Sequence, residues 1–183
     1  MPKFTQLDDR GRVWLVEDLL PPEQVEEILT TDWQSLSWTT SGGQELWARR
    51  QINWDDPTAQ RLGRYISDQL PTINAGIDTD FQMCGGHFWV DQPGFTVPLH
   101  TDGHVPNSMQ LYWAVPGPDH GTGFYQYKKK DSLLYQCQSL PNSGYIMLNH
   151  LESDGSQPLL WHAMFNPVPE NTIRVSSYWS FQN

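Results

Sequence analysis

The sequence predicts a mostly β domain, a double-stranded β-helix (jelly roll) with supporting N-terminal helices, and two observations lead to this prediction. From about Phe81 onward, short runs rich in Trp, Tyr, Phe, Val and Ile are interrupted about every 8–15 residues by Gly, Pro, Asn or Asp, as in antiparallel strands joined by turns. Apolar residues with helical spacing are found before that point. Together these patterns indicate an antiparallel sandwich or barrel with two leading helices packed on one sheet.

We expect one domain over residues 1–183. A chain of this length can bury roughly two-thirds of the surface that its unfolded form exposes. No internal repeat, low-complexity tract or linker divides the sequence. We place the helical support at about residues 1–75 and the jelly-roll core at about residues 81–183.

The individual elements follow from local signals. Residues 12–16 predict a short opening strand, and Pro21-Pro22 predicts the start of a helix, because proline lacks the N–H that a helix start leaves unpaired. A second helix is predicted from about Pro57 to Leu70, with Asp55 or Asp56 near its cap and Pro71 at its end. Core strands are predicted near residues 87–90, 110–115, 123–127, 145–148 and 173–179.

Charge and composition argue against two kinds of partner. The chain has 11 Lys and Arg against 21 Asp and Glu, a formal net charge of −10. Affinity for nucleic acid rests on clustered positive charge, so we expect no nucleic-acid partner. The sequence contains no apolar run of about 18 residues, so we expect no membrane-spanning helix.

The N-terminal segment and the cysteines indicate a cytoplasmic location. The segment lacks the apolar core of a signal peptide and carries acidic residues. Cys84 and Cys137 could form one disulfide, but reduced, packed thiols are favoured in a cytosolic chain of this size. Neither cysteine belongs to a Cys-x-x-Cys pair, which argues against zinc-ribbon and redox motifs.

His100-Thr101-Asp102 is the motif that bears most directly on function. If this segment is extended, both side chains point to one face, because strand side chains alternate. His162, from a distant strand, would complete a set of two histidines and one carboxylate. Such a facial triad leaves coordination positions open and is typical of non-haem Fe(II) oxygenases.

Arg174 and Ser176 predict a carboxylate-binding site near the metal. The guanidinium of Arg174 presents a planar fork of donors that matches a carboxylate. Ser176 lies two residues further on, hence on the same strand face, and its hydroxyl can share that carboxylate. The order of these residues therefore indicates an iron site with a dicarboxylate co-substrate.

Each residue also has a structural interpretation. A His-x-Asp sequence is common by chance, an isolated His162 could be a packed, hydrogen-bonded histidine, and Arg174 could be a surface charge. His150 is the rival to His162 as third ligand, but no Arg-x-Ser pair follows it at a comparable distance. Only the metal-site interpretation accounts for three features together. They are the order of these residues in the sequence, the spacing that puts His100 and Asp102 on one strand face, and the pair Arg174 and Ser176 after the last histidine. We therefore adopt it.

At these residues the chain resembles the Fe(II)/2-oxoglutarate-dependent oxygenases, in particular the compact branch that includes prolyl hydroxylases. The resemblance is strongest from about Val90 to Trp179. It rests on the segments Gln92-Pro93-Gly94, Pro98-Leu99-His100-Thr101-Asp102, Leu111-Tyr112-Trp113, Gly121-Thr122-Gly123-Phe124, Asn142-Ser143-Gly144-Tyr145-Ile146, Trp161-His162-Ala163 with Pro167, and Arg174-Val175-Ser176. Prolyl hydroxylases of the collagen type have lysine where Arg174 stands, which disfavours that subgroup.

The resemblance implies roles for individual residues. His100, Asp102 and His162 would bind Fe(II), and Arg174 and Ser176 would hold the far carboxylate of 2-oxoglutarate, with Tyr112 as a further contact. Dioxygen would be the second co-substrate, and a substrate C–H would become an alcohol.

The resulting hypothesis is a dioxygenase that hydroxylates an aliphatic carbon, with a protein or peptide side chain as the favoured substrate and a small molecule as the other possibility. The alternative is a cupin-like module that binds a metal or a carboxylate without turnover. A non-catalytic interaction domain would require the key residues to be coincidental. The sequence leaves open the substrate, the oligomeric state and the role of residues 151–160.

Overall fold

An antiparallel β sandwich with three helices on its outside makes up the described part of the chain. The structure, a computed structural model, describes residues 1–40, 48–102, 107–149 and 160–182. Its strands are β1 (Lys3–Gln6), β2 (Val13–Glu17), β3 (Trp38–Thr40), β4 (Arg49–Ile52), β5 (Gln82–Asp91), β6 (Asn107–Tyr112), β7 (Thr122–Tyr125), β8 (Leu133–Cys137), β9 (Ser143–Leu148), β10 (Trp161–Met164) and β11 (Arg174–Gln182). The helices are α1 (Pro22–Thr30), α2 (Pro57–Ser67) and α3 (Leu70–Ile77).

The strands form two sheets. The larger has the order β1-β2-β9-β6-β11-β5-β4-β3, and the smaller has the order β10-β7-β8. Every pairing is antiparallel. This architecture confirms the predicted mostly β, jelly-roll class.

The two faces of the larger sheet pack against different parts of the protein, because side chains alternate along its strands. Phe88, Met109, Ile146, Val175 and Trp179 belong to one apolar core together with residues of the three helices. Their neighbours in sequence point to the opposite face, where side chains of both sheets form a second, smaller core around Phe124 and Tyr145. The helices therefore cover the outside, and the space between the sheets is left for polar groups and a cavity.

The helix starts were predicted well. α1 begins at Pro22, and Asp56 caps α2 by accepting hydrogen bonds from the backbone N–H groups of Thr58 and Ala59 at 2.9 and 3.2 Å. The structure corrects the predicted end of the second helix. α2 stops at Ser67, and α3 follows with Pro71 in its first turn, where proline is tolerated rather than disruptive.

The N-terminal part contributes more than helices. The strands β1, β2, β3 and β4 all come from the region that the sequence assigned mainly to helical support, and all four belong to the larger sheet. β4 matters most for the site, because it pairs with β5 and places Arg49 opposite Asp91. In the described ranges, none of the helices has the length and apolarity needed to cross a bilayer.

Candidate metal and carboxylate site

The chain fold brings His100, Asp102 and His162 together although 60 residues separate the last two. The backbone groups of His100 and His162 pair as an antiparallel bridge, with N···O distances of 3.0 Å and 2.9 Å. His162 lies in β10, whose register with β7 fixes its position between the sheets. One potential ligand atom from each of the three residues lies within 4.8 Å of the others, so the predicted triad forms a cluster.

The orientation of the three side chains suits a metal ion. Each Asp102 oxygen faces the Nε2 of a different histidine, at 3.4 Å for His100 and 3.5 Å for His162. Nδ1 of His100 lies 2.8 Å from the carbonyl oxygen of Pro98, and Nδ1 of His162 lies 3.4 Å from that of Leu160. A proton on Nδ1 would leave the Nε2 lone pairs free as ligands, which is the arrangement found around metal-bound histidines.

The electrostatics of the cluster support ionised Asp102. Burial opposes its ionisation, but the two imidazoles facing its oxygens hold the pKa of the carboxyl well below the usual range. The hydrogen bond with Asp102 in turn raises the pKa of His100, although partial burial opposes this. A divalent cation would replace the proton that His100 shares with Asp102. It would bind the carboxylate and both imidazoles at once.

A cavity of about 280 Å³ connects this cluster with the guanidinium groups of two arginines. The volume is at the small end of the range for small-molecule sites, about 300–1,000 Å³. Its lining residues are Arg49, Trp89, Val97, His100, Asp102, Gln110, Thr122, Tyr145, His162, Ala163, Met164, Arg174 and Tyr178. The three metal-binding candidates and Arg174 thus share one small cavity, whereas Ser176 and Tyr112 do not line it.

Arg174 lines this cavity, but it already has a carboxylate partner in the protein. Its Nε and Nη2 donate to Oδ2 of Asp91 at 2.9 and 2.7 Å, and its Nη1 donates to the carbonyl oxygen of His120 at 2.9 Å. The side chain is almost fully buried. Arg174 is therefore held rigidly rather than free to reorient, and its charge is partly neutralised.

Sequence reasoning missed Arg49 and Asp91. Arg49 binds both oxygens of Asp91 through Nε at 2.6 Å and Nη2 at 3.0 Å. Burial would raise the pKa of Asp91, but the two guanidinium groups hold it below its usual value. One signal was present in the sequence: Asp91 ends a strand rich in aromatic and apolar residues, and a buried carboxylate there requires a cationic partner.

Ser176 and Tyr112 lie in the same region but have different surroundings. Ser176 lies between Arg174 and Tyr178 on one face of β11, and its buried Oγ has no hydrogen-bond partner among the described residues. Tyr112 is fully buried, and its hydroxyl pairs with that of Thr122 at 2.7 Å. Thr122 lines the cavity, and Tyr112 lies beside Arg174 with 5.9 Å between the guanidinium carbon and the ring centre.

Other residues singled out in the sequence have simpler outcomes. His104, His150 and the segment 151–159 lie outside the described residues. Cys84 and Cys137 are both free thiols, as expected, but Cys84 is exposed rather than packed. Burial raises the pKa of Cys137 to about 12, so that thiol is structural.

The fold is that of the 2-oxoglutarate/Fe(II) oxygenases. It is similar to the viral collagen prolyl hydroxylase vCPH from Paramecium Bursaria Chlorella virus-1 (TM-score 0.59, 9% identity, 94% of this chain and 97% of that chain). It is also similar to a Pseudomonas putida prolyl-4-hydroxylase (TM-score 0.58, 17% identity, 94% and 93%) and to the 2-oxoglutarate-dependent epimerase SnoN of nogalamycin biosynthesis (TM-score 0.61, 11% identity, 94% and 78%). No family model and no curated protein matches the chain.

Proposed function

We propose that this chain is an Fe(II)- and 2-oxoglutarate-dependent dioxygenase that hydroxylates an aliphatic carbon, with a protein or peptide side chain as the favoured substrate. The observation that carries the proposal is the shared cavity. It has two imidazoles and a carboxylate at one end and two guanidinium groups at the other. A ligand that chelates a metal at one end and carries a carboxylate at the other fits that distribution of charge.

The metal end fits Fe(II) by the chemistry of its donors. Two neutral imidazoles and one carboxylate on one side of an ion leave open positions for a co-substrate and dioxygen, which is the ligand set of non-haem Fe(II) oxygenases. Ligand atoms about 2.0–2.2 Å from a common ion lie about 3 Å apart when they are at right angles. The three ligand atoms lie within 4.8 Å of one another, so they would draw closer together around a bound ion.

The opposite end fits the far carboxylate of 2-oxoglutarate. Burying a carboxylate is unfavourable unless it is paired and hydrogen-bonded. Arg174 would supply the charge, and the partnerless hydroxyl of Ser176 would supply a hydrogen bond. The Tyr112 phenol would hold in place the side chain of Thr122, which lines the cavity, through the hydrogen bond between their hydroxyl groups.

Each group of this chain would then have a defined task. His100, Asp102 and His162 would hold the iron, and Arg174 and Ser176 would orient the co-substrate. Iron with dioxygen supplies the oxidising chemistry: one oxygen atom enters the substrate as the alcohol, and the other enters succinate as 2-oxoglutarate loses carbon dioxide. The apolar side chains of Val97, Ala163 and Met164 would restrict water at the reacting end.

The proposed substrate class is supported by the names of two similar structures. Both are named prolyl hydroxylases, and a prolyl residue belongs to a peptide chain. A protein or peptide side chain is therefore the favoured substrate of this chain. SnoN has the same fold and is named an epimerase, so fold similarity by itself supports several substrates and outcomes.

The direct test is turnover. Purified protein with Fe(II), ascorbate and 2-oxoglutarate should form succinate, slowly without substrate and faster with the correct peptide, and mass spectrometry should find a substrate gain of one oxygen atom. Asp102→Ala should remove succinate formation while the protein stays folded. If wild-type protein with bound Fe(II) forms no succinate even with candidate substrates, the enzyme proposal fails.

The alternative function is a cupin-like module that binds a metal or a carboxylate without turnover. The same cavity favours it, because the donors and guanidinium groups would bind such ligands whether or not oxygen reacts. Metal and 2-oxoglutarate binding in calorimetry, combined with absence of succinate, would favour this alternative.

A further inference from the structure

Three charged side chains form a row across the inner face of the larger sheet. Arg49, Asp91 and Arg174 lie on the adjacent strands β4, β5 and β11, and the register places both arginines directly opposite Asp91. Side chains in such cross-strand positions contact each other. Asp91 is completely buried, and both arginines are nearly so.

The row contains two positive charges and one negative charge. Burial lowers the pKa of Arg49, and its proximity to Arg174 adds to this, whereas Asp91 opposes both effects. Among the described residues that line the cavity, the only acidic side chain is Asp102, which belongs to the metal cluster. The guanidinium end of the cavity therefore has an excess of one positive charge, and a buried charge of this kind favours an anionic partner.

Both guanidinium groups have donors left for that partner. Arginine carries five N–H donors. Arg174 uses three of them in its bonds to Asp91 and His120, and Arg49 uses two in its bonds to Asp91. Nη1 of Arg49 has no hydrogen-bond partner in the described part of the chain.

Arg49 is also held in a fixed orientation. Its guanidinium carbon lies 3.8 Å from the ring centre of Trp89 and 4.3 Å from that of Phe95. Two aromatic faces and the fork to Asp91 together restrict its rotation. Preorganised donors of this kind bind a carboxylate without first losing side-chain entropy.

We propose that Arg49 is a second cation for the far carboxylate of the co-substrate, and that Asp91 is a positioning residue that holds both guanidinium groups. This inference rests on the proposed function. It makes Arg49 a specificity residue: the site selects 2-oxo acids that end in a carboxylate over 2-oxo acids of equal length that end in a methyl group.

The experiment compares two ligands on matched variants. Nickel(II), which replaces iron without turnover, is bound first, and 2-oxoglutarate and 2-oxopentanoate are then titrated by calorimetry. We expect Arg49→Met to weaken 2-oxoglutarate about tenfold or more, because a buried charge partner is lost, and to change 2-oxopentanoate less than about twofold. Arg50→Met is the matched control, since Arg50 contacts Trp38 and Gln34 and does not bind Asp91.

The outcomes separate this inference from the proposed function. Equal weakening of both ligands in Arg49→Met would show a merely structural role, and unchanged binding of both would show no contact; either result overturns the inference. If Arg49→Met does not fold, Arg49→Lys, which keeps the charge but loses the fork, must still reduce the preference for 2-oxoglutarate. Wild-type protein that binds nickel(II) but not 2-oxoglutarate would overturn the proposed function, and this inference with it.

Discussion

Replacement of Asp91 by Asn tests the most deeply buried ion pairs among the described residues, those of Asp91 with Arg49 and Arg174. Asp91 accepts hydrogen bonds from Arg49 and Arg174 and is fully buried. Asparagine has nearly the same shape, so the substitution removes the charge without creating a cavity. Two guanidinium groups would then repel each other with no carboxylate between them.

The expected loss of stability is large. Removal of one partner of a buried ion pair typically costs about 3–5 kcal/mol. Since natural domains are stable by about 5–15 kcal/mol, this is a substantial part of the total. For a chain of this size, 1 kcal/mol corresponds to about 2–4 °C in Tm, so Tm should fall by about 6–20 °C.

Urea and thermal unfolding, followed by tryptophan fluorescence, measure this effect. Glu17→Gln is the control, because Glu17 forms an exposed ion pair with Lys3, and such pairs contribute about 0–1 kcal/mol. The folded-state pKa of Asp91 is depressed, so its contribution is complete above the unfolded value of about 3.9 and is lost as pH falls through the folded value. If Asp91→Asn unfolds within 1 kcal/mol of the wild type at neutral pH, the charge-row argument is wrong.

Three further predictions address other parts of the structure. His162→Ala should weaken divalent-metal affinity more than about 100-fold in calorimetry. If His162→Ala keeps its metal affinity and His150→Ala loses it, the ligand assignment is wrong. Ser177→Ala should cost about 1–3 kcal/mol in urea unfolding for each of the two buried indole N–H groups that its hydroxyl accepts, and an unchanged midpoint would refute this. A thiol reagent at neutral pH should modify exposed Cys84 but not buried Cys137, with metal binding retained; mass spectrometry of modified peptides decides.

The fold class was predictable because strand and turn signals are local. Runs rich in aromatic and β-branched residues, bounded by turn residues, identified the cores of β5, β6, β7, β9 and β11. The short strands β1, β3, β4 and β8 were missed. Their extended state depends on pairing with neighbouring strands, a tertiary effect that local propensity does not capture.

The candidate metal cluster was predictable for a different reason. The spacing of His100 and Asp102 fixes their relative direction in an extended segment, and the remaining ligand had to come from the few other histidines. The assignment of roles within this cluster stays a prediction. The row of Arg49, Asp91 and Arg174 could not be found this way, because strand pairing between distant segments decides which charges meet.

The two ends of the cavity therefore depend on different parts of the chain. The imidazole and carboxylate end is built from His100, Asp102 and β10, all after residue 81. The guanidinium end needs Arg49, which β4 brings from the N-terminal part to the edge of β5. The predicted division near residues 75–81 therefore separates neither the sheet nor the function. The later part alone would keep Asp91 and Arg174, whose charges cancel, and would lose the excess positive charge that favours an anion.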